Sequence, residues 1–252
     1  MGPLNPSDAE AFRRFQERWK AKAERPYARE MAQLLAKVGR EAAQATELGL
    51  DPFAGPAMDA HAREVEALLI RRNRATAEAW GKLVQRDAKA AWTHERKGYA
   101  EDFERWLETF LRTYTARKVV GIAETTREEI RRSIRQGQRD ELGAMQIARL
   151  IRQRTRVIGA ARAMTIARTE TGQMSNAATQ AGADALNIEY VREWSAANSE
   201  RTRESHRLAD GQRRRPDEAF QVGGANLMHP GDPNGPAGEV INCRCAIALR
   251  TD

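Results

Sequence analysis

Cysteine is the scarcest residue of this sequence: the 252 residues include only two, and both lie within the last ten positions. Two cysteines are too few for the disulfide framework of a small secreted protein, so a reducing compartment is favoured. Long apolar runs are missing too, because no segment approaches the roughly 20 residues that cross a bilayer. The first residues, MGPLNPSDAEAF, lack both a signal peptide layout and the hydroxyl residue of a myristoylation motif. These absences predict a cytoplasmic product that contacts no membrane.

Lysine is missing from the last third of the chain, and the charge of the whole chain is uneven. Residues 158–252 hold 11 Arg, no Lys and 12 acidic residues, whereas residues 1–157 hold 31 basic and 23 acidic residues. The formal net charge of +7 therefore belongs to the first part of the chain. A basic helical region can bind DNA or an acidic protein surface, but interleaved acidic residues favour a solvated face.

The first two-thirds of the chain has the composition and spacing of successive helices. Phe12, Phe15 and Trp19 recur at helical spacing after Ser7, which we predict to cap the first helix. Pro26 has no amide hydrogen and a bulky ring, so it is expected to kink or break this helix.

Breaks rich in proline and glycine divide the helical region further. The segment 49–60 ends the first part, and a long polar helix is predicted over about residues 58–97. Residues 101–134 carry one continuous apolar stripe at helical spacing, which is typical of a core-facing helix. A short helix is predicted over residues 142–154, after the polar stretch RQGQRDELG.

A further helix, residues 159–186, carries a stripe of small residues with Glu170 in its middle. A buried carboxylate is costly unless a cation or several N–H groups meet it. We therefore expect Glu170 to pair with an Arg or His of the C-terminal segment, as a polar clamp between helix and sheet. The alternatives are a catalytic acid and a helix rotated so that Glu170 faces solvent.

After residue 186 the apolar spacing changes from helical to alternating. Ile188, Tyr190 and Trp194 fall on one side of an extended segment, which predicts a half-buried strand. A second strand is predicted near the C-terminus from five apolar positions of one parity: Ile241, Cys243, Cys245, Ile247 and Leu249. About 45 residues separate the two strands, too many for a simple hairpin loop.

The pattern predicts an α+β fold. An extended, mostly helical N-terminal body is followed by a small C-terminal α+β unit with a short antiparallel sheet. We predict three regions: an N-terminal helical segment (1–57), a helical body with long amphipathic helices (58–157) and a C-terminal α+β module (158–252).

The two cysteines allow several interpretations. On one strand, Cys243 and Cys245 share a face, so both sulfurs can bind one metal ion. Zinc takes four ligands, and His206 and His229 complete the predicted set, with Asp210 as a further candidate. Packed core thiols are the alternative, because free cysteine behaves as a small hydrophobe. A disulfide is disfavoured by its strain. A catalytic thiolate needs a base and an electropositive pocket, for which His206 and Arg244 are candidates, but Arg244 is expected on the opposite face of the strand.

The ordered motifs RAMTIARTETGQMSNAA, EWSAANSERTRESHRLADGQ, EAF and LMHPGDPNGPAGEVINCRC resemble the phage Mu F-like head morphogenesis family. The resemblance covers about residues 101–245 and is sharpest from residue 161. The resemblance assigns no catalytic residue. It carries over these motif positions together with both cysteines: Arg168, Thr169, Glu170, Arg203, His206, Asp210, Gly211, Phe220, Pro230, Gly231, Asp232, Pro233, Asn242 and Arg244.

The resemblance implies a minor head protein of a tailed phage or phage-like particle. Such a protein would be bound to the portal at the capsid vertex, would assist head assembly and DNA packaging or ejection, and would occupy the host cytoplasm during assembly. The implied partners are the portal protein, the major capsid protein and packaged double-stranded DNA. The resemblance implies no cofactor. The structural zinc is a prediction from the cysteine and histidine residues alone.

Two other function classes stay open at this point. One is a metal-dependent, nuclease-like enzyme built on His206, Asp210, Cys243 and Cys245. The other is a DNA-binding accessory protein that acts through the basic helices, whose binding would weaken steeply with salt.

Overall fold

The computed structural model describes residues 2–54, 56–92 and 96–251 of the protein. Four long helices come first in the chain: α1 (Ala9–Glu47), α2 (Pro56–Trp92), α3 (Tyr99–Arg139) and α4 (Ala144–Leu186). No helix in these three ranges combines the length and the apolar character that crossing a membrane requires.

Short strands and two short helices follow α4. Their bounds are β1 (Val191–Ser195), α5 (Glu204–Ala209), β2 (Arg213–Arg214), β3 (Phe220–Val222), β4 (Ala225–Leu227), α6 (Ala237–Val240) and β5 (Ala246–Arg250). β1 pairs antiparallel with both β2 and β5, and β3 and β4 form a separate two-stranded sheet. The predicted α+β fold, with a long helical body before a small antiparallel sheet, is confirmed.

The start and the course of α1 differ from the prediction. Asp8, and not Ser7, caps the helix, because one carboxylate oxygen of Asp8 accepts the amides of Glu10 and Ala11 at 2.9 Å each. Of the two outcomes predicted at Pro26, a kink or a break, the break is wrong, since α1 continues to Glu47. Side chains just after the proline are buried, and their packing offsets the roughly 3 kcal/mol that an interior proline costs.

Residues 144–186 form one helix where the sequence predicted two. The predicted separation fell before Gly159, which usually weakens a helix. In the structure, a Cβ atom built on Gly159 would lie 3.5 Å from the Leu35 Cβ atom. The glycine therefore lets α1 pack close to α4 and does not end the helix.

The chain forms two compact units, and each long helix contributes residues to both. One, here called the motif unit, contains Met1–Glu24, Asn73–Leu111 and Arg168–Asp252. The other, here called the helical unit, contains Arg25–Arg72 and Arg112–Ala167. The predicted domain boundaries after residues 57 and 157 stay predictions.

The motif unit contains the largest apolar core. Trp80, Tyr99, Phe103, Trp194 and Phe220 are buried in one cluster with aliphatic side chains of α4 and β5. Trp194 contacts Phe220 edge to face at 5.4 Å between ring centroids. All five strands belong to this unit, so its core packs helices against sheet.

The helical unit has two smaller cores, made mainly of aliphatic side chains. Tyr27, Met31 and Leu69 belong to one, and Ile130 and Ile151 belong to the other. All buried residues of these two cores lie on helices, and the unit has no strand among its described residues.

Two further backbone features shape the sheets of the motif unit. Gly223 and Gly224 connect β3 to β4 with φ values of +57° and +78°, the conformation that a two-residue hairpin turn requires. Leu4 forms a parallel bridge with Leu249, and the Asn5 amide donates to the Leu249 carbonyl at 2.7 Å. The N-terminal residues therefore extend the sheet beyond β5, which the sequence did not indicate.

Candidate functional site

His206, Cys243 and Cys245 form a buried cluster in the motif unit. The Nδ1 atom of His206 lies 3.3 Å from the Cys245 sulfur and 3.7 Å from the Cys243 sulfur. These three atoms all lie within 4.8 Å of one another, and neither cysteine forms a disulfide. Among the described residues, no other group of three or more His, Cys, Asp or Glu side chains has such a geometry.

The backbone that presents the cysteines is not the predicted strand. β5 begins at Ala246, after both cysteines, and Ile241 is partly exposed instead of sharing a buried face with them. Asn242 has a φ of +60°, so the chain turns between α6 and β5. The sulfurs lie together because of this turn, and the alternation argument for their common side is wrong.

Two residues of α4 fix the turn. The Asn242 amide donates to the Thr169 hydroxyl at 3.0 Å, and Arg168 donates to the Asn242 side-chain oxygen at 3.2 Å. α4 also lies very close, since a Cβ atom on Gly172 would be 3.1 Å from the Cys243 carbonyl oxygen. The motif positions of α4 and of the C-terminal segment therefore meet at the cysteines.

Glu239 of α6 holds the far side of the His206 ring. Its Oε2 atom lies 2.9 Å from His206 Nε2 and accepts the Ser205 hydroxyl at 2.8 Å. The ring of Trp194 contacts the imidazole edge to face at 5.5 Å. The sequence prediction missed Glu239, because 33 residues separate it from the histidine and no local pattern connects them.

A buried lysine lies beside the thiols. Lys20 of α1 donates to the Cys245 carbonyl at 3.0 Å, and burial lowers the pKa of its ammonium. The pKa of Cys243 is lowered, first by its hydrogen bond with Cys245 and further by Lys20 and Arg203. The same hydrogen bond and burial raise the pKa of Cys245 well above its ordinary value.

The cluster borders a cavity of about 280 Å³. His206 and both cysteines line it, together with four arginines: Arg168, Arg201, Arg203 and Arg244. Arg203 also donates to the Ile241 carbonyl at 2.7 Å, so it is held in place. A cavity with this lining favours water or a small anion over an apolar ligand.

His229 and Asp210 were further candidate ligands, and the structure places both away from the cluster. Nδ1 of His229 lies 3.1 Å from the Pro230 carbonyl oxygen, and burial lowers the pKa of the imidazole. The Asp210 carboxylate accepts the Ala196 amide at 2.7 Å and the Asn198 side-chain amide at 3.3 Å. Three of the four predicted metal ligands therefore meet, and His229 does not join them.

Glu170 is buried, as expected of a polar clamp. Asn73 of α2 donates to its carboxylate at 3.1 Å, a partner that the sequence did not indicate. Pairing of Glu170 with an Arg or His of the C-terminal segment stays a prediction.

Asn176 provides a polar connection between α4 and the C-terminal segment. Its side-chain amide donates to the carbonyls of Pro230 at 2.9 Å and Cys245 at 3.2 Å. Its side-chain oxygen accepts the Ile247 amide at 3.1 Å. One neutral side chain thus connects the helix with the loop before α6 and the start of β5.

Arg192 of β1 is a fully buried cation that organises the long loop before α6. It donates to the carbonyls of Arg215, Glu218 and Met228, and its guanidinium lies 5.3 Å from the centroid of the Phe220 ring. Burial lowers its pKa. The sequence contained a signal for this burial, since Arg192 has the same strand parity as the buried Trp194.

The remaining motif positions support the same loop. Phe220 is buried against Trp194, and the Asp232 carboxylate accepts the amides of Met228 at 2.8 Å and Asn234 at 2.9 Å. The other four lie in turns: Gly211, Pro230, Gly231 and Pro233.

Residues 124–248 match the family model described as "Phage Mu protein F like protein". The match includes the C-terminal part of α3, all of α4 and nearly all of the sheet. No curated protein and no solved structure shows a significant match to the chain.

Proposed function

We propose, from the premise that this chain is a phage Mu F-like protein, that it is a minor structural protein of a tailed phage or phage-like head. In this proposal it binds the portal protein at the capsid vertex and assists head assembly and the packaging or ejection of DNA. The family match over residues 124–248 is the observation that carries the proposal.

The contacts of the motif carboxylates favour a structural role over catalysis. Asp210 and Asp232 each accept two nitrogen donors, at least one of them a backbone amide, so both carboxylates serve to shape the loop. Glu170 is buried and accepts a hydrogen bond from Asn73. Acidic residues committed in this way are poorly placed for general acid or base work, which needs a carboxylate within reach of substrate.

We assign the portal contact to the helical unit. Val157 and Ile158 are adjacent on α4, within the family match, and are 61% and 42% exposed. β-branched residues are weak helix formers, so neither helix propensity nor core packing explains them at solvent positions. An apolar pair of this kind suits a surface that a partner protein covers.

The proposal is tested first on particles. Purified particles from a host that carries the gene are analysed by quantitative mass spectrometry against the portal and major capsid proteins. We expect this chain at a copy number close to that of the portal and far below that of the major capsid protein. Absence from intact, DNA-filled particles would refute the proposal.

The portal contact is tested by copurification of the full chain with the portal protein of the same genome. Val157→Glu combined with Ile158→Glu should abolish copurification, whereas Leu208→Glu should leave it unchanged. Leu208 is the matched control, because it is 74% exposed and lies in the motif unit. Equal binding by both variants would remove the assignment to the helical unit. Salt-sensitive binding to DNA in place of portal binding would favour the DNA-binding accessory role.

A further inference from the structure

We infer that His206, Cys243 and Cys245 bind one zinc ion, that Glu239 orients the histidine, and that the fourth coordination position opens to the arginine-lined cavity. A water molecule or a small anion would occupy that position. The inference rests on the cluster itself and does not depend on the role in the phage head.

The spacing of the three ligand atoms fits tetrahedral zinc. With Zn–S of about 2.3 Å and Zn–N of about 2.0 Å, a tetrahedron separates the nitrogen from each sulfur by about 3.5 Å. The observed separations from His206 Nδ1 are 3.3 Å to Cys245 and 3.7 Å to Cys243. An ion can therefore be placed among the three atoms with little movement of the side chains.

The hydrogen bonding of His206 selects the tautomer that a metal needs. Glu239 accepts from Nε2, so in the neutral ring the proton lies on Nε2 and the lone pair of Nδ1 faces the two sulfurs. A carboxylate on the remote nitrogen is the usual second contact of a zinc-bound histidine. Glu239 is itself held in place by the Ser205 hydroxyl, which donates to its Oε2 atom at 2.8 Å.

Two packed core thiols would not explain this arrangement. A core cysteine needs only apolar neighbours, whereas here both sulfurs face the lone pair of an oriented and buried imidazole. Two thiolates and one imidazole form a soft donor set, which zinc accepts readily. The three ligands line the cavity, so the remaining position of the ion is reached from it, and Arg203 and Arg244 favour an anion there.

The test uses the untagged full-length chain, expressed in zinc-supplemented medium and passed through a desalting column. Elemental analysis should find one zinc per chain. After exchange to cobalt, we expect a sulfur-to-cobalt charge-transfer band and the visible bands of tetrahedral cobalt. Added azide should shift the visible bands if the fourth position is open. A folded chain without bound metal, or with iron or copper at this site, would overturn the zinc assignment.

Variants assign the ligands. Cys243→Ser, Cys245→Ser and His206→Ala should each lose the cobalt charge-transfer band or weaken cobalt binding at least tenfold. His229→Asn is the matched control, because that histidine is buried nearby in the same unit but outside the cluster, and it should keep full binding. Circular dichroism checks folding, and the wild-type spectrum decides the question if the ligand variants unfold.

Glu239→Gln separates orientation from ligation. We expect it to keep the charge-transfer band and to lower metal affinity about tenfold, the usual effect of losing such a second contact. Unchanged metal affinity would show that Glu239 does not orient His206 for metal binding. Complete loss of the charge-transfer band in a folded variant would contradict a site whose only protein ligands are His206, Cys243 and Cys245. Zinc that remains at full stoichiometry in the double variant Cys243→Ser/Cys245→Ser would be adventitious and would refute the site.

Discussion

The interior of the motif unit and the interior of the helical unit are stabilised by different kinds of interaction. In the motif unit, buried polar side chains connect segments that are far apart in the sequence, as Asn176 does between α4 and β5 and Arg192 does between β1 and the long loop. In the helical unit, aliphatic side chains of four helices pack together, and most described ion pairs are partly exposed. Buried hydrogen bonds thus characterise the motif unit, and aliphatic packing between helices characterises the helical unit.

This difference bears on how a site can be built. Arg192, Asn176 and Lys20 each donate to backbone carbonyls, so they fix the path of loops that have little apolar content of their own. The cluster of His206, Cys243 and Cys245 lies where these loops meet. A helix bundle packed through aliphatic contacts offers no comparable set of fixed loops, and the exposed apolar side chains at Val157 and Ile158 suit surface contacts instead.

The largest effect is expected from removing the cation that organises the loop. Arg192→Met should lower the free energy of unfolding by about 4 kcal/mol, because several buried carbonyl groups lose their donor at once. Urea unfolding followed by tryptophan fluorescence measures this change. Trp194, on the same strand, reports on the same core.

Arg213→Met is the control for this substitution. Arg213 lies on β2, is exposed, and pairs with Glu193 at 2.9 Å, so its loss should cost less than about 1 kcal/mol. Similar losses for both arginines would mean that burial of Arg192 contributes nothing special to the motif unit.

The second largest effect is expected at Asn176, the uncharged side chain that connects α4 with the C-terminal segment. Asn176→Ala should destabilise the protein by about 3 kcal/mol, since two carbonyls and one amide lose their partner in a buried place. Asn176→Asp should cost at least as much, because a carboxylate cannot donate to the two carbonyls. If Asn176→Asp is as stable as the wild type, the described donor role of the amide is wrong.

The sequence predicted those features whose pattern is local. The apolar stripe of residues 101–134 gave the long helix α3, which extends over Tyr99–Arg139. The change from helical to alternating spacing after residue 186 gave the start of the sheet, because side-chain period reports directly on the backbone. The family resemblance was recognised from ordered motifs, and the match over residues 124–248 confirms it.

Features set by distant contacts were predicted poorly. The alternating apolar pattern predicted that Cys243 and Cys245 lie together, but it did so by placing them on a strand. They lie together because of a turn, which the positive φ of Asn242 and the hydroxyl of Thr169 define. A break was one of the two outcomes expected at Pro26, but α1 continues past it, because the burial of neighbouring side chains outweighs local propensity. Glu239 carried no signal at all, because its role exists only once α5 and α6 are adjacent.

The third effect is a pH dependence that belongs to the helical unit. Burial, with a smaller contribution from Arg162 and Lys37 and opposed by Glu64, lowers the pKa of His61 from 6.5 to about 4. The unfolded chain therefore binds a proton between pH 6.5 and about 4 that the folded chain does not, so stability falls as pH drops through this window. Between pH 7 and pH 5 this residue should account for a loss of about 2 kcal/mol.

His61→Gln removes the titration and so isolates it. The variant should lose about 2 kcal/mol less than the wild type between pH 7 and pH 5, measured by urea unfolding at both values. The ring nitrogens of His61 have no hydrogen-bond partner among the described residues, so a neutral polar side chain loses no described contact there. Parallel pH profiles for both proteins would show that His61 is not the titrating group.

The smallest effect is expected at the surface of the helical unit. Arg71 of α2 pairs with Glu30 of α1, and the arginine side chain is 66% exposed. Arg71→Met should therefore change the free energy of unfolding by about 0.5 kcal/mol or less, and added salt should reduce even that, because water screens an exposed pair. Urea unfolding at low and high salt measures the change. A loss comparable to that of Arg192→Met would mean that ion pairs stabilise the helical unit as strongly as buried hydrogen bonds stabilise the motif unit, and the contrast between the two units would disappear.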